Sequence, residues 1–538
     1  MTLAEAIMAE AHERGLRYFF GIPGGGAPLD LIEAGRKKGV SFVNMSHESS
    51  AAITAAYYGS LRNTAGLAMT IRGVGAANLA GGIANVHFER LPVVAVCESA
   101  PGSMAHREST QNCDQKAVFD GIVKYQSVLE PETAQGSIRE AFLQAEDGRP
   151  GPAILHIPSD LGGQTVLAPP AVRASASPPV PDPVALASLK QFLDTKRRPV
   201  IMAGADLARA GASEELRALV EAIGAAVLVT MDARGVFPES HPRWAGVFLG
   251  LFNPNVIETR ALDQADVVLL AGVDAMMTHA LWKSGLPTCE LVARPEYSTL
   301  SASPVSRING DLKSSLRALL PSPRAGFSEG EVQGLRSGIL EYFKRPSQAR
   351  FAAQDVIEVT REILPQDGIL LSETGAFICM LEHLWPVERL GTYYGTSGGR
   401  TMGLMIPAAL GARLAEPERP MIGLGADGSA LMRLGELEVF ARTKAAVPLV
   451  LIDDQALGTM KSRQKSRKLP DYGLDLHSVD FSAIAKACGL RGVTVDTPEA
   501  FRRELRLAME AGCTTVIDAR VDPPAYHDSF GPTIGVLD

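Results

Sequence analysis

The stretch from Met421 to Asp454 sets three carboxylates at the ends of two apolar runs. "MIGLGADG" (Met421–Gly428) reads as a short strand ending in a glycine turn that carries Asp427, and "VPLVLIDD" (Val447–Asp454) reads as a second buried strand ending in Asp453 and Asp454. Between them, "RLGELEVFARTKAA" has the apolar spacing of a helix. If the two strands are parallel, their carboxyl ends lie on the same edge of the sheet, where ligands of such folds bind, and Asp427 meets Asp454. Two adjacent carboxylates repel. The partner they call for is a hard divalent cation with oxygen ligands, Mg²⁺ or Ca²⁺. Mg²⁺ usually keeps phosphate oxygens in its shell, and glycines around Asp427 leave room for a phosphate to approach. The plainer reading is two ordinary loop acids at strand ends.

A second constellation lies near the start of the chain. "NMSHESSAAITAAYYG" begins with a strand and places Glu48 at the start of a helix of small and apolar residues, and "RGVGAAN" is a glycine turn before another helix. A lone acid leading such a helix is suited to hold or shuttle a proton. Acids at helix starts are also common caps, which is the plainer reading of Glu48 taken alone.

These residues need a frame that holds them. The chain has 538 residues, enough for about three domains. "LAPPAVRASASPPVPDP" (Leu167–Pro183) and "PSPRAGFSEGEVQG" (Pro321–Gly334) read as linkers, which predicts domains over 1–166, 184–320 and 335–538. Strand and helix patterns alternate throughout, as in "LPVVAVCES", "RPVIMAGAD" and "ADVVLLAGVD". The expected fold is α/β, three doubly wound parallel-sheet domains, with the first and last thirds as candidates for related folds. A net charge of −8 argues against nucleic-acid and anionic-membrane partners. No apolar run reaches spanning length, and the opening residues read as an amphipathic helix rather than a signal peptide. The six cysteines have no metal-ligand spacing, so a reduced, cytoplasmic setting is expected.

Together, "SHESSAAITAAYYG…IRGVGAANLAGGIAN" and "GADGSA…LIDDQALG" resemble the thiamine-diphosphate enzymes of the acetolactate synthase, benzaldehyde lyase and 2-oxo acid decarboxylase type. "FFGIPGGGAPLDLI", "STQNCD", "SETGAF" and "GGRTMGLMIPAALGARLA" extend the resemblance over nearly the whole chain, in order. It implies that Asp427, Asp454 and the carbonyl of Ala456 hold Mg²⁺ on the cofactor diphosphate, with Gly425, Gly428 and Ser429 around the turn. Asp453-Asp454 replaces the usual Asn-Asn, adding negative charge beside the diphosphate. Glu48 matches the glutamate that promotes the imino tautomer of the pyrimidine, whose amino group then deprotonates thiazolium C2. The resulting ylide attacks a 2-oxo acid, and loss of CO₂ leaves an enamine. Met402 matches the apolar prop of the bent cofactor, and Arg400 stands where relatives have Gly. Glu373, Thr374 and Gly375 match a segment near the diphosphate, while Gly25, Gly26, Asn78 and Gln111 match positions near the pyrimidine or reacting centre. The glutamate and metal halves come from different subunits in relatives, which implies a homodimer or a dimer of dimers.

Simple decarboxylases of this kind carry a His-His pair near position 111 and a Glu near position 460. Gln111 and Met460 stand there instead. The resemblance therefore implies a carboligase or lyase acting on 2-oxo acids or 2-hydroxy ketones, with a simple decarboxylase releasing an aldehyde as the alternative. His47, His87 and His106 remain as other proton sources. A binding protein that kept the pocket and a flavin-linked oxidase are the competing classes; Glu48 speaks against the first, and "GVDAMMTHA" lacks the Arg and paired acids usual in flavin-binding relatives. "IRGVG" replaces the family's "TSGPG" and puts Arg72 beside the cofactor loop. "KSRQKSRK" (Lys461–Lys468) is a charge run whose plainer reading is a solvated face; the functional reading turns Lys461 and Arg463 toward the active-site mouth, where anionic substrates enter.

Overall fold

The computed structural model describes residues 1–104, 106–166, 177–251, 253, 255–278, 282–298, 300–320 and 325–522. It contains three six-stranded sheets, every strand parallel to its neighbours. The first holds β1 (Tyr18–Gly21), β2 (Ser41–Asn44), β3 (Gly66–Thr70), β4 (Val93–Ser99), β5 (Tyr125–Val128) and β6 (Pro152–Pro158) in the order β2-β1-β3-β4-β6-β5. The second holds β7 (Pro199–Ala203), β8 (Ala226–Thr230), β9 (Trp244–Phe248), β10 (Val267–Ala271), β11 (Thr288–Val292) and β12 (Ser306–Asn309), ordered β12-β11-β10-β7-β8-β9. The third holds β13 (Ile369–Ser372), β14 (Tyr393–Tyr394), β15 (Met421–Ala426), β16 (Pro448–Asp453), β17 (Arg491–Val495) and β18 (Thr515–Arg520), ordered β14-β13-β15-β16-β18-β17. Numbered from its own first strand, the third sheet repeats the order of the first. The relationship between the two thirds is thus visible in topology.

The strands read as continuous apolar runs because helices cover both faces of a parallel sheet. β6, β10 and β16 are buried at every position. The helix Glu48–Leu61 is buried almost all round, and its small residues let it approach the helix Met405–Ala415 of the third sheet's layer closely. A Cβ on Gly411 would lie 2.3 Å from the Thr54 carbonyl oxygen, and Thr54 Oγ1 donates to the Pro407 carbonyl at 3.0 Å. One apolar core runs through the first and third layers, and another joins the second and third.

Two expectations need correction. The stretch Pro321–Gly334 is not simply a linker, because the helix Glu329–Leu340 starts inside it. Ser328 and Glu331 form a reciprocal cap there, and Val332, Leu335 and Ile339 bury one face. Residues 321–324, and 167–176 of the other linker, lie outside the described residues. The glycine turn at Asp427 is also more than a turn: a short helix, Asp427–Leu431, starts there ahead of the expected one, which runs over Glu436–Thr443.

At the carboxyl edge of the second sheet, Asp206 follows β7 and Asp274 follows β10, the neighbouring strands where the chain order reverses. In such a fold this is the crevice that receives a dinucleotide. Here Arg149, from the first layer, fills it. Its Nη2 lies 2.9 Å from Asp206, its Nη1 lies 3.0 Å from Asp274, and Arg90 adds a 2.7 Å contact to Asp274.

Candidate active site

β15 and β16 are adjacent, with Ala426 opposite Ile452, so the residues that follow them emerge side by side. Asp427 opens the helix Asp427–Leu431 and is 3% exposed; Asp454 is 6% exposed. The Gly428 amide donates to Asp427 Oδ1 at 2.7 Å, and the Ala456 amide donates to Asp454 Oδ1 at 3.3 Å. Gln455 takes a left-handed φ of 54°, which turns the chain so that Ala456 follows Asp454 along the same wall. Asp427 Oδ2 is buried without a hydrogen-bond partner. Burial, then the neighbouring Asp454, pushes Asp427 up to about 8, and burial pushes Asp454 up to about 7. A hard cation is the partner that lets both stay ionised in this position. The donor set of two carboxylates and a carbonyl suits Mg²⁺.

These residues open onto a cavity of about 380 Å³. Asp427, Gly428, Ser429, Asp454 and Ala456 form one wall, with Thr374 and Gly375 beside them and Met402 and Met460 also on the lining. Ser429 Oγ donates to the Thr374 carbonyl at 3.4 Å. A Cβ on Gly428 would meet Leu457 at 3.1 Å and Met402 at 3.4 Å, so glycine keeps the turn open beneath the methionine. Arg400 and Arg463 also line the cavity.

Two expected contact residues face elsewhere. Glu373 accepts from the amides of Leu404, Met405 and Ala426 at 2.8, 3.0 and 3.3 Å, and Gly425 packs on its carboxylate. Both therefore brace the segments that carry Met402 and Asp427. Lys461 is a correction: it is not on the cavity lining, and its Nζ lies 3.1 Å from Asp471 and 2.5 Å from Asp475.

A second cluster stands at the carboxyl edge of the first sheet. Glu48 is 6% exposed at the first turn of its helix, and the Asn78 side-chain amide donates to it at 3.2 Å. The helix cap is His47, whose Nδ1 accepts from the Ser49 amide, so the capping role is already filled. Gly26 packs on Glu98 and Ser159, Arg72 reaches Ser159 Oγ at 3.4 Å, and Gly73 packs on the backbone of Gln111. Gly25 has open space where a side chain would stand. Among the described residues, none of Gly25, Gly26, Glu48, Arg72, Asn78 and Gln111 lines the cavity of Asp427.

Sequence reasoning missed several residues. Glu382 is 1% exposed and lines the cavity; its signal was an acid inside the apolar run "FICMLEHL". Leu249 and Leu251, from the second domain, also line it and carried no local signal. Behind them the Leu251 amide donates to Glu258 at 2.9 Å, and burial pushes Glu258 up to about 8.

The fold and the paired edges define an α/β protein with a site at the carboxyl ends of parallel strands, and comparison with known proteins gives its family. The family models for the thiamine pyrophosphate enzyme N-terminal TPP binding domain, central domain and C-terminal TPP binding domain match residues 1–118, 186–319 and 373–519. The chain belongs to the thiamine pyrophosphate enzymes. It is 27% identical to the catabolic acetolactate synthase of Raoultella terrigena, over 98% of this chain and 95% of that one. It is 25% identical to a probable acetolactate synthase large subunit of Methanocaldococcus jannaschii, over 97% and 92%. Its fold matches benzoylformate decarboxylase from Polynucleobacter necessarius with a TM-score of 0.84 at 19% identity, covering 97% of this chain and 99% of that one.

Proposed function

We propose that this protein is a carboligase or lyase of 2-oxo acids or 2-hydroxy ketones that uses thiamine diphosphate and Mg²⁺. The observation that carries the reading is the buried Asp427–Asp454 pair beside a cavity roofed by Met402, with Glu48 buried at the matching edge of a sheet of the same strand order. When bound, thiamine diphosphate supplies a nucleophilic carbon and an electron sink for the carbonyl substrate. Asp427, Asp454 and the Ala456 carbonyl would hold the metal, and the Gly428 turn and Ser429 would leave room for the diphosphate. Met402 would prop the bound cofactor from the cavity lining. Glu373, bound to three backbone amides, fixes the segments bearing Met402 and Asp427 relative to each other.

Glu48 holds or moves a proton at the pyrimidine, and Asn78 orients its carboxyl group. Within one chain Glu48 does not line the cavity of Asp427, which supports a homodimer, or a dimer of dimers, whose sites form between subunits. Carboligation is favoured over simple proton capture because Met460 lines the cavity and, among the described residues, no histidine does. His47 is engaged as a helix cap, and burial lowers the basicity of His87. A simple decarboxylase is the second reading, favoured by the buried acid Glu382 on the lining. A cytoplasmic setting fits, with no helix among the described residues long and apolar enough to cross a membrane.

The test is incubation of the pure protein with Mg²⁺, thiamine diphosphate and a panel of 2-oxo acids and 2-hydroxy ketones, with and without added aldehydes. CO₂ and coupled product are followed together. A coupled product is expected; stoichiometric free aldehyde would select the decarboxylase, and no consumption of any substrate would refute both.

A further inference from the structure

The cavity has a polar end that the roles above leave unused. Arg400 and Arg463 both line it, and the Nε of each is buried without a hydrogen-bond partner. Both guanidinium groups act on Cys379, another lining residue, so their positive fields converge there. Glu382 stands at the same end, almost fully buried, with neither carboxylate oxygen hydrogen-bonded. Its contact with Arg400 is loose, at 3.9 Å. In the same protein Arg234 and Glu239 form a close pair, with hydrogen bonds of 3.0 and 2.7 Å. The Nη2 of Arg400 donates to the Met231 sulfur at 2.8 Å, so Glu382 steers the guanidinium group without pairing closely with it.

The backbone supports a specific use for Arg400. Its φ is 43°, in the left-handed region that favours glycine, and a non-glycine residue there is strained. A long cation in such a place, on the cavity lining and with its Nη2 donating to the Met231 sulfur, marks a residue whose side chain has a use. Arg463 reaches the same end from the helix Gly458–Ser466, while Lys461 on that helix is held by Asp471 and Asp475. The cationic run thus contributes one selected residue to the cavity.

We propose that Arg400 and Arg463 form a subsite for a second acidic group of the substrate, so that the 2-oxo acid taken by this enzyme is a dicarboxylate. Guanidinium groups recognise carboxylates through paired, directional N–H donors, and two of them at one end of the cavity select chain length as well as charge. Glu382 is a positioning residue that holds Arg400 toward the cavity. The subsite rests on the reading of the cavity as the active site, and its test separates the two.

Binding is measured by calorimetry on the protein loaded with Mg²⁺ and thiamine diphosphate, using glutarate as an unreactive dicarboxylate and butyrate as its monocarboxylate control. Turnover of 2-oxoglutarate and pyruvate is measured in parallel. The wild type is expected to bind glutarate at least tenfold tighter than butyrate and to show a lower KM for 2-oxoglutarate than for pyruvate. Arg463→Met and Arg400→Gly should each erase most of that preference while leaving butyrate binding within about twofold; Arg463→Lys should retain part of it. Arg400→Gly places the residue best suited to its backbone, which keeps the fold intact. Equal affinity for the two acids in the wild type, or a preference that survives both substitutions, overturns the subsite. A glutarate preference without turnover of any 2-oxo acid keeps the subsite and overturns the proposed reaction.

Discussion

Replacing Glu258 by glutamine tests the wall of the cavity through its dependence on pH. The folded carboxyl group titrates at about 8 because it is fully buried, whereas an unfolded glutamic acid titrates near 4.3. The folded chain therefore keeps a proton that the unfolded chain has lost. The sign follows: this group's favourable contribution is complete below the unfolded value and is lost as pH rises through the folded one. Each pH unit in that window costs the fold about 1.4 kcal/mol, or roughly 3–4 kcal/mol by pH 7. Glutamine removes the titration. It keeps an acceptor for the Leu251 amide but places NH₂ where Glu258 Oε2 has no hydrogen-bond partner, a pH-independent penalty of about 1–3 kcal/mol. The variant should thus be less stable than wild type at pH 4.5 and overtake it near pH 6. Scanning calorimetry from pH 5 to 8 should show the difference in Tm, variant minus wild type, rising by about one degree per pH unit in this 538-residue chain. A flat difference would mean that Glu258 is ionised in the fold and the reasoning is wrong.

Glu48→Gln should lower turnover by about 10²–10⁴-fold while thiamine diphosphate binding by calorimetry stays near wild type; wild-type exchange of the cofactor C2 proton in the variant would remove Glu48 from its role. Asp427→Ala should lose Mg²⁺-dependent cofactor binding, whereas Asp454→Asn, which keeps an oxygen ligand, should retain it. Metal titration distinguishes them, and unchanged Mg²⁺ affinity in Asp427→Ala would refute the assignment. Arg234→Ala strands the fully buried Glu239 and should destabilise the protein by about 3–5 kcal/mol in denaturant unfolding. A loss below 1 kcal/mol would show that the pair is not held as described.

What could be read in advance was what local pattern determines. The glycine turn and two buried runs placed Asp427 and Asp454 at one edge because parallel pairing leaves them no other arrangement. Glu48 was legible as a helix start, since the small residues after it have no alternative period. Contacts made across the chain were not legible. Lys461 reads as a cation facing the mouth until Asp471 and Asp475 fold back onto it. Glu373 reads as a cofactor contact until its carboxylate is seen turned onto three amides. The helix Glu329–Leu340 was hidden by its glycines, although the Ser328–Glu331 cap was present in the sequence. Leu249 and Leu251 reach the cavity only because the second sheet packs on the third, a fact no window of sequence contains.

The separation of Glu48 from the cavity of Asp427 has a genetic consequence. In the proposed dimer, each site takes its proton-handling half from one chain and its metal half from the other. A Glu48→Gln chain and an Asp427→Ala chain are each inactive alone, yet a mixed dimer assembles one site with both lesions and one with neither. Co-expression of the two dead alleles would therefore restore activity, approaching one quarter of the wild-type level if chains pair at random. A cell carrying both would be rescued by subunit exchange alone, with no recombination between the genes.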